Sequence, residues 1–158
     1  MTGARSSAWK AILLGGFVAG TIDVEAAALI NQVSPVLILH YIAAGLLGPR
    51  VALAGGVSVA VLGLILQWAM SLIIASIFVL AARRIPVLIR DWLRSGLAYG
   101  VGIFFVMNYI VLPLSAAMAK PHFPHFSAAR FIENLLAMLL FGTIVAFFAS
   151  RYESARQR

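Results

Sequence analysis

Residues 51–84 read VALAGGVSVAVLGLILQWAMSLIIASIFVLAARR. This stretch carries no charge until it ends in Arg83 and Arg84. A helix needs roughly 20 apolar residues to cross the hydrocarbon core of a bilayer, and the stretch is longer than that. An uncharged run of this length predicts a membrane-spanning helix.

The composition of the whole chain points the same way. Of its 158 residues, 63% are hydrophobic and 11% are charged. Soluble domains carry about a quarter charged residues, and a fold of this size could not bury so much apolar surface. We therefore predict a single all-α integral membrane domain over residues 1–158, with the lipid bilayer as its solvent.

Three further apolar stretches are long enough to cross the bilayer. We predict four spans, at residues 9–31, 51–82, 92–118 and 127–152. The second span is longer than it needs to be, so it must tilt or extend beyond the hydrocarbon. The basic linker 83–94 mixes apolar residues with arginines, which is typical of a segment lying at the membrane surface.

A shorter helix is predicted between the first two spans. Ser34-Pro35 is a helix-start signal, and Gly48-Pro49 is a stop signal. About 13 residues lie between them, which make a helix of roughly 20 Å. Because this is too short to cross, we predict a half-helix or interfacial helix.

The basic residues favour one orientation. With a cytoplasmic N-terminus, the inner side holds nine cations and the outer side holds three. The inner set is Arg5, Lys10, Arg83, Arg84, Arg90, Arg94, Arg151, Arg156 and Arg158, and the outer set is Arg50, Lys120 and Arg130. The positive-inside rule then places both termini in the cytoplasm. Because the cations flank apolar runs, the net charge of +7 does not indicate nucleic-acid binding.

Small residues predict where the helices pack, since they let backbones approach closely in lipid. The predicted packing glycines are Gly16, Gly20, Gly56, Gly63, Gly96 and Gly100. In the first span this stripe continues to Asp23, and in the second it continues to Gln67. Pro113 in the third span is predicted to kink the helix, because its ring clashes with the carbonyl of Tyr109.

Each span carries one polar residue at a similar depth. These residues are Asp23, Gln67, Asn108 and Asn134. At 1.5 Å per residue they lie roughly 20 to 25 Å from the inner ends of their spans. Intramembrane polar groups usually face the protein interior. They predict either a binding or permeation site with Asp23 as its ionisable member, or a structural hydrogen-bond layer with Asp23 protonated.

Other chemistry finds little support in the sequence. His40, His122 and His125 share the outer side and are weak candidates for a metal site, but their spacing is not that of a helical ligand pair. With no cysteine there is no thiolate ligand. No zinc-protease, nucleophile-elbow or phosphate-loop motif is present, so we expect neither an enzyme nor a cofactor.

Three segments resemble a family of small, uncharacterised bacterial inner-membrane proteins of the YagU type. They are Gly15–Asp23, Ala44–Gly48 and Met107–Ser115. The resemblance implies a multi-pass protein of the bacterial inner membrane, without a known activity. Where that pattern has histidines, this chain has Gln67 and Ala137, so any role of those histidines is in doubt here.

Two functions are consistent with these patterns. The first is a non-enzymatic inner-membrane protein that packs as a homo-oligomer, or as an accessory subunit of a larger membrane complex, through its small-residue faces. The alternative is a transporter or channel for protons, cations or small solutes that uses the polar layer around Asp23. An outward small-residue face would favour the first function, and a cavity reaching Asp23 would favour the second.

Overall fold

The computed structural model describes residues 2–117 and 127–153, and no strand occurs in that part of the chain. The helices are α1 (Thr2–Asn31), α2 (Pro35–Leu47), α3 (Pro49–Ala54), α4 (Val57–Arg84), α5 (Val87–Arg90), α6 (Trp92–Val106), α7 (Leu112–Leu114) and α8 (Ala128–Glu153). A π-helical turn, Met107–Val111, joins α6 to α7. Four segments are long and apolar enough to cross a membrane: Ala8–Asn31, Val57–Arg84, Trp92–Leu114 and Ala128–Tyr152. The predicted fold class, an all-α membrane protein with four spans, is confirmed.

The predicted half-helix is α2, which has 13 residues. Ser34 caps it, because its Oγ accepts a hydrogen bond from the backbone N–H of Leu37 at 3.2 Å, and Pro35 occupies the first turn. Gly48 ends it with a φ of 79°, a left-handed conformation that glycine adopts without strain. The local signals at both ends were therefore sufficient to define this helix.

The predicted second span, 51–82, is not one helix. It is interrupted at Gly55-Gly56, which separates the short α3 from α4. Two consecutive glycines cost about 2 kcal/mol of helix propensity relative to alanine, so they mark the point where the overlong segment can break most easily. The break leaves α4 with 28 residues, ending at Arg84.

The third span is irregular before Pro113. In the π-helical turn the N–H of Leu112 bonds the carbonyl of Met107, five residues back. A proline has no N–H to donate, and its ring would clash with the carbonyl four residues back in a regular α-helix. Widening the preceding turn moves that carbonyl away. A wide π turn thus stands where we predicted a proline kink.

The spans pack in the order α4, α1, α8, α6, so that α1 and α8 are each flanked by two others. Glycines make these contacts close. A Cβ on Gly16 would lie 3.1 Å from the Leu72 Cα, and a Cβ on Gly20 would lie 2.9 Å from the Ser71 Cβ, so α1 crosses α4 there. A Cβ on Gly100 would lie 2.7 Å from the Leu139 Cα of α8.

The remaining predicted packing glycines divide into two groups. Gly63 abuts the backbone of Leu39 in α2, and Gly96 lies against α8. Gly56 does not pack: a Cβ there would have no atom within 4 Å. Its assignment as a packing glycine was wrong, because it lies in the interruption before α4 and not on a helical face. Gly142 of α8, which we did not predict, faces Gly96 and Gly100.

Candidate functional site

Asp23 and Gln67 form the centre of the site. The Gln67 Nε2 donates to the Asp23 Oδ2 at 2.8 Å and to the backbone carbonyl of Gly20 at 3.2 Å. Gln67 is 3% exposed. The close approach at Gly20 lets α4 come near enough for this contact. One buried amide therefore joins α1 to α4 through both a side chain and a carbonyl.

Asn108 and Asn134 face the same region from the third span and α8. Each uses its amide nitrogen locally: Asn108 Nδ2 donates to the Phe104 carbonyl at 2.9 Å, and Asn134 Nδ2 donates to the Arg130 carbonyl at 2.8 Å. Neither Oδ1 receives a hydrogen bond from a described residue. The two asparagines are thus anchored by their donors and retain acceptors for another partner.

All four predicted polar residues line one cavity of about 190 Å³, which we call the polar chamber. All four spans contribute to its wall, and the remaining lining is mostly apolar. The lining comprises Asp23, Gln67, Met70, Ser71, Ile74, Ile103, Met107, Asn108, Leu112, Asn134, Met138 and Phe141. At about 30 Å³ per molecule of liquid, a space of this size could hold about six waters.

The arrangement differs from a continuous hydrogen-bond layer. Within the described residues, Gln67 and Asp23 form the one side-chain hydrogen bond that links two of the four polar residues. The asparagines bond their own helices instead, and the chamber separates the groups. The predicted structural hydrogen-bond layer therefore joins α1 to α4 only, and it does not include the third span or α8.

The π-helical turn contributes to the chamber. Met107 and Asn108 lie at its beginning, and both side chains reach the chamber wall. A π turn inserts an extra residue into a helix and so changes which side chains face a neighbour, and such turns are frequent at functional sites. The sequence signal for it was Pro113, which we had interpreted only as a kink.

Two further cavities flank the chamber along the seam between α4 and the third span. A groove of about 450 Å³, the lateral groove, lies between α2, α4 and the π turn, and it shares Met70, Met107 and Leu112 with the chamber. A pocket of about 410 Å³, the inner pocket, lies nearer Arg94. Sequence patterns had not shown either cavity.

The inner pocket and the polar chamber are separated by an aromatic contact. Tyr99 of α6 packs its ring on Phe78 of α4, with centroids 5.0 Å apart. Its hydroxyl donates to the backbone carbonyl of Ile74 at 2.7 Å. Because Ile74 also lines the chamber, this contact closes the seam directly beside it.

Arg130 makes an additional contact that we had not predicted. It lies 4.0 Å from the carboxylate of Glu133, three residues further along the same helix, but both side chains are nearly half exposed. Its guanidinium also donates to the backbone carbonyl of Ile30 and reaches the Asn31 Oδ1 at 3.4 Å. The last carbonyls of a helix lack intrahelical partners, so Arg130 satisfies the C-terminus of α1.

The described part of the fold does not support a metal site at the weak histidine candidates. Both ring nitrogens of His40 are engaged, with the carbonyls of Val36 at 2.8 Å and Gly55 at 3.1 Å. His122 and His125 lie outside the described residues. In the described part of the chain, no group of three or more His, Cys, Asp or Glu residues is placed to hold a metal ion.

The four apolar spans define the chain as a multi-pass α-helical membrane protein, and the polar chamber is its candidate site. No protein-family model, curated protein or solved structure matches the chain significantly. The resemblance to YagU-type proteins therefore stays a prediction. What the chamber does has to be argued from its own geometry.

Proposed function

We propose that this chain is a transport protein that binds a cation or a small cationic solute in the polar chamber. The observation that carries the proposal is the chemistry of the chamber wall. Among the described residues that line it, there is one carboxyl group, Asp23, and no lysine, arginine or histidine. A carboxylate that is withdrawn from water without a cation is costly. The site therefore favours either a bound cation beside Asp23 or protonation of the Asp23 carboxyl group.

The alternative, an oligomeric or accessory protein, has less support. Five of the six predicted packing glycines face helices of the same chain, so they are not available for a partner. One outward small-residue pair lies within a described helix: Gly102 is exposed, has open space where a Cβ would stand, and follows exposed Ala98 at a spacing of four. The outward face with this pair is the specific observation that favours self-association as a second candidate.

The seam between α4 and the third span suggests a route. The inner pocket and the polar chamber follow one another along it, with Phe78 and Tyr99 on the inner-pocket side, and the lateral groove lies beside the chamber at the same level of α4. In this proposal the closed contact is the barrier that must open for transport. In this proposal the protein lies in the bacterial inner membrane, as the resemblance to YagU-type proteins implies, and both termini are cytoplasmic, as the charge bias predicts. No bond is made or broken, so the proposed function is non-enzymatic.

Transport assays in proteoliposomes test the proposal. Wild-type protein should dissipate an imposed gradient of methylammonium or sodium across the liposome membrane. Asp23→Asn should reduce the cation flux at least tenfold. Glu25→Gln is the matched control, since Glu25 lies two residues away on the same helix but is exposed. Equal flux through Asp23→Asn and wild type, or equal loss in Glu25→Gln, would rule out the role assigned to Asp23.

The self-association candidate has its own test. Gly102→Leu adds bulk to the outward face without touching the chamber. A change in oligomeric mass in nanodiscs, with cation flux unchanged, would assign this face to an interface between copies. An unchanged mass would exclude this face as the interface between copies.

A further inference from the structure

Hydrogen-bond donors and acceptors are unequally distributed in the polar chamber. Gln67 uses both of its amide N–H groups, on Asp23 and Gly20, whereas each of the two asparagines donates one of its two N–H groups to its own helix. The chamber wall therefore offers more free hydrogen-bond acceptors than free donors. These acceptors are the Asp23 carboxylate and the Oδ1 atoms of Asn108 and Asn134. A group that only donates, such as a primary ammonium with three N–H bonds, matches this set.

The chamber is not enclosed by protein on all sides. It meets the lateral groove at Met70, Met107 and Leu112, and two of these are unbranched, adaptable methionines. The groove wall is apolar, and several of its side chains are exposed on the outside of the bundle, among them Leu46 and Ile73, each 62% exposed. In a bilayer this surface faces lipid acyl chains. Met70, Met107 and Leu112 line both cavities and so stand between them, and movement of the two methionine side chains would connect the hydrocarbon to the acceptor-rich chamber.

We infer that the ligand is an amphipathic primary amine, whose ammonium group binds in the polar chamber while its alkyl tail lies in the lateral groove. This inference rests on the proposed function and specifies its substrate class. Two observations carry it: the acceptor-rich lining that faces the head, and an apolar groove of about 450 Å³, which is in the size range of ligand pockets. The ligand would reach the site sideways from the membrane and not from water.

Equilibrium binding to the full chain in phosphatidylcholine nanodiscs tests the inference with n-octylammonium and methylammonium. Binding to empty nanodiscs is subtracted, and affinities are expressed against the free aqueous concentration. Octylammonium has seven more methylene groups than methylammonium, and each can tighten binding by up to about fourfold when it is fully buried. We expect octylammonium to bind at least about tenfold tighter than methylammonium.

Variants then locate the tail. Ala69 lines the groove and is exposed, so Ala69→Phe fills the groove without disturbing the core. It should remove most of the octyl advantage and leave methylammonium binding unchanged. Ile65→Phe is the matched control, because Ile65 is an exposed α4 residue that does not line the groove. It should leave both affinities at wild-type values.

The outcomes separate the inference from the proposed function. If methylammonium binds in an Asp23-dependent manner but octylammonium is no tighter, or if Ala69→Phe leaves the octyl advantage intact, the inference fails and cation binding stands. If neither amine binds above empty nanodiscs, both fail. If 1-octanol binds as tightly as octylammonium, the groove is a site for neutral lipid and the inference is overturned.

Discussion

The phenol of Tyr99 donates to the backbone carbonyl of Ile74 at 2.7 Å, which links α6 to α4 beside the polar chamber. Ile74 lies within α4, so its carbonyl already belongs to the helix ladder and accepts this bond in addition. A hydrogen bond of this kind contributes about 0.5–1.5 kcal/mol net. It holds the seam closed at the point where the inner pocket meets the chamber.

We therefore expect Tyr99→Phe to open the seam more often without unfolding the protein. The ring can still pack on Phe78, while the hydroxyl bond is lost. The chain has no cysteine, so Ser71→Cys in the chamber wall gives a single reporter thiol. Its labelling by a membrane-impermeant maleimide from the inner-pocket side should accelerate several-fold in Tyr99→Phe. Tyr41→Phe, an exposed tyrosine on α2, should leave the rate unchanged, and equal rates in all three proteins would contradict the closure.

Glycine packing gives a prediction with a built-in control. A Cβ on Gly100 would lie 2.7 Å from the Leu139 Cα, whereas one on Gly102 would have no atom within 4 Å. Gly100→Ala should destabilise the fold by about 1–3 kcal/mol, because the backbone of α8 must move. Gly102→Ala should be neutral or slightly stabilising, since alanine favours the helix by about 1 kcal/mol. Thermal unfolding of both variants in detergent measures this, and the opposite order would refute the α6–α8 contact.

The sequence predicted this fold to a large extent, because the determinants are local. The length of the uncharged apolar runs defined the spans, and Ser34-Pro35 with Gly48 defined the ends of α2. The interruption at Gly55-Gly56 was missed because hydropathy averages over glycine. The four polar residues were predicted to lie at a similar depth in the membrane, and in the structure all four line one chamber.

What the sequence could not give is the orientation of side chains across helices. Whether Asn108 bonds a neighbouring helix or its own carbonyl at Phe104 depends on distances of a few ångströms. Likewise the π turn before Pro113 has no signature beyond the proline itself. The contact from Arg130 to Ile30 joins residues a hundred positions apart, and only the shared outer end of α1 and α8 hinted at it.

Arg130 provides a third prediction. Arg130→Gln removes the guanidinium that satisfies the end of α1, and we expect a loss of about 1 kcal/mol, the size of an ordinary hydrogen bond or helix-terminus charge interaction. Arg50→Gln removes an exposed cation whose side chain is on the same predicted side and should change stability by less than about 0.5 kcal/mol. Denaturation midpoints of the two variants in mild detergent give the comparison. If Arg50→Gln costs as much as Arg130→Gln, a general charge effect and not the α1 contact is responsible.

Membrane orientation is a fourth prediction, since it follows from the nine-to-three distribution of cations and not from the packing. A reporter active only in the cytoplasm, fused after Arg158, should be active. The same reporter inserted between His122 and Ser127 should be inactive, and a periplasmic reporter at that position should be active. Activity of a periplasmic reporter at the C-terminus would invert the topology.

The last prediction concerns protons, because the group proposed to bind a cation can bind a proton instead. Asp23 must be deprotonated to pair with an ammonium group, so acidification should weaken methylammonium binding. Since one site exchanges one proton, the loss should not exceed about tenfold per pH unit. No other ionisable residue lines the chamber among the described residues, and Glu25 on the same helix is exposed, so Glu25→Gln should keep the wild-type pH profile.

The same competition predicts its converse: adding methylammonium in weak buffer, at a pH where Asp23 is protonated, should release up to one proton for each amine bound. Binding independent of pH together with no proton release would show that the cation does not pair with Asp23, and the chamber would then have to be explained by helix packing alone.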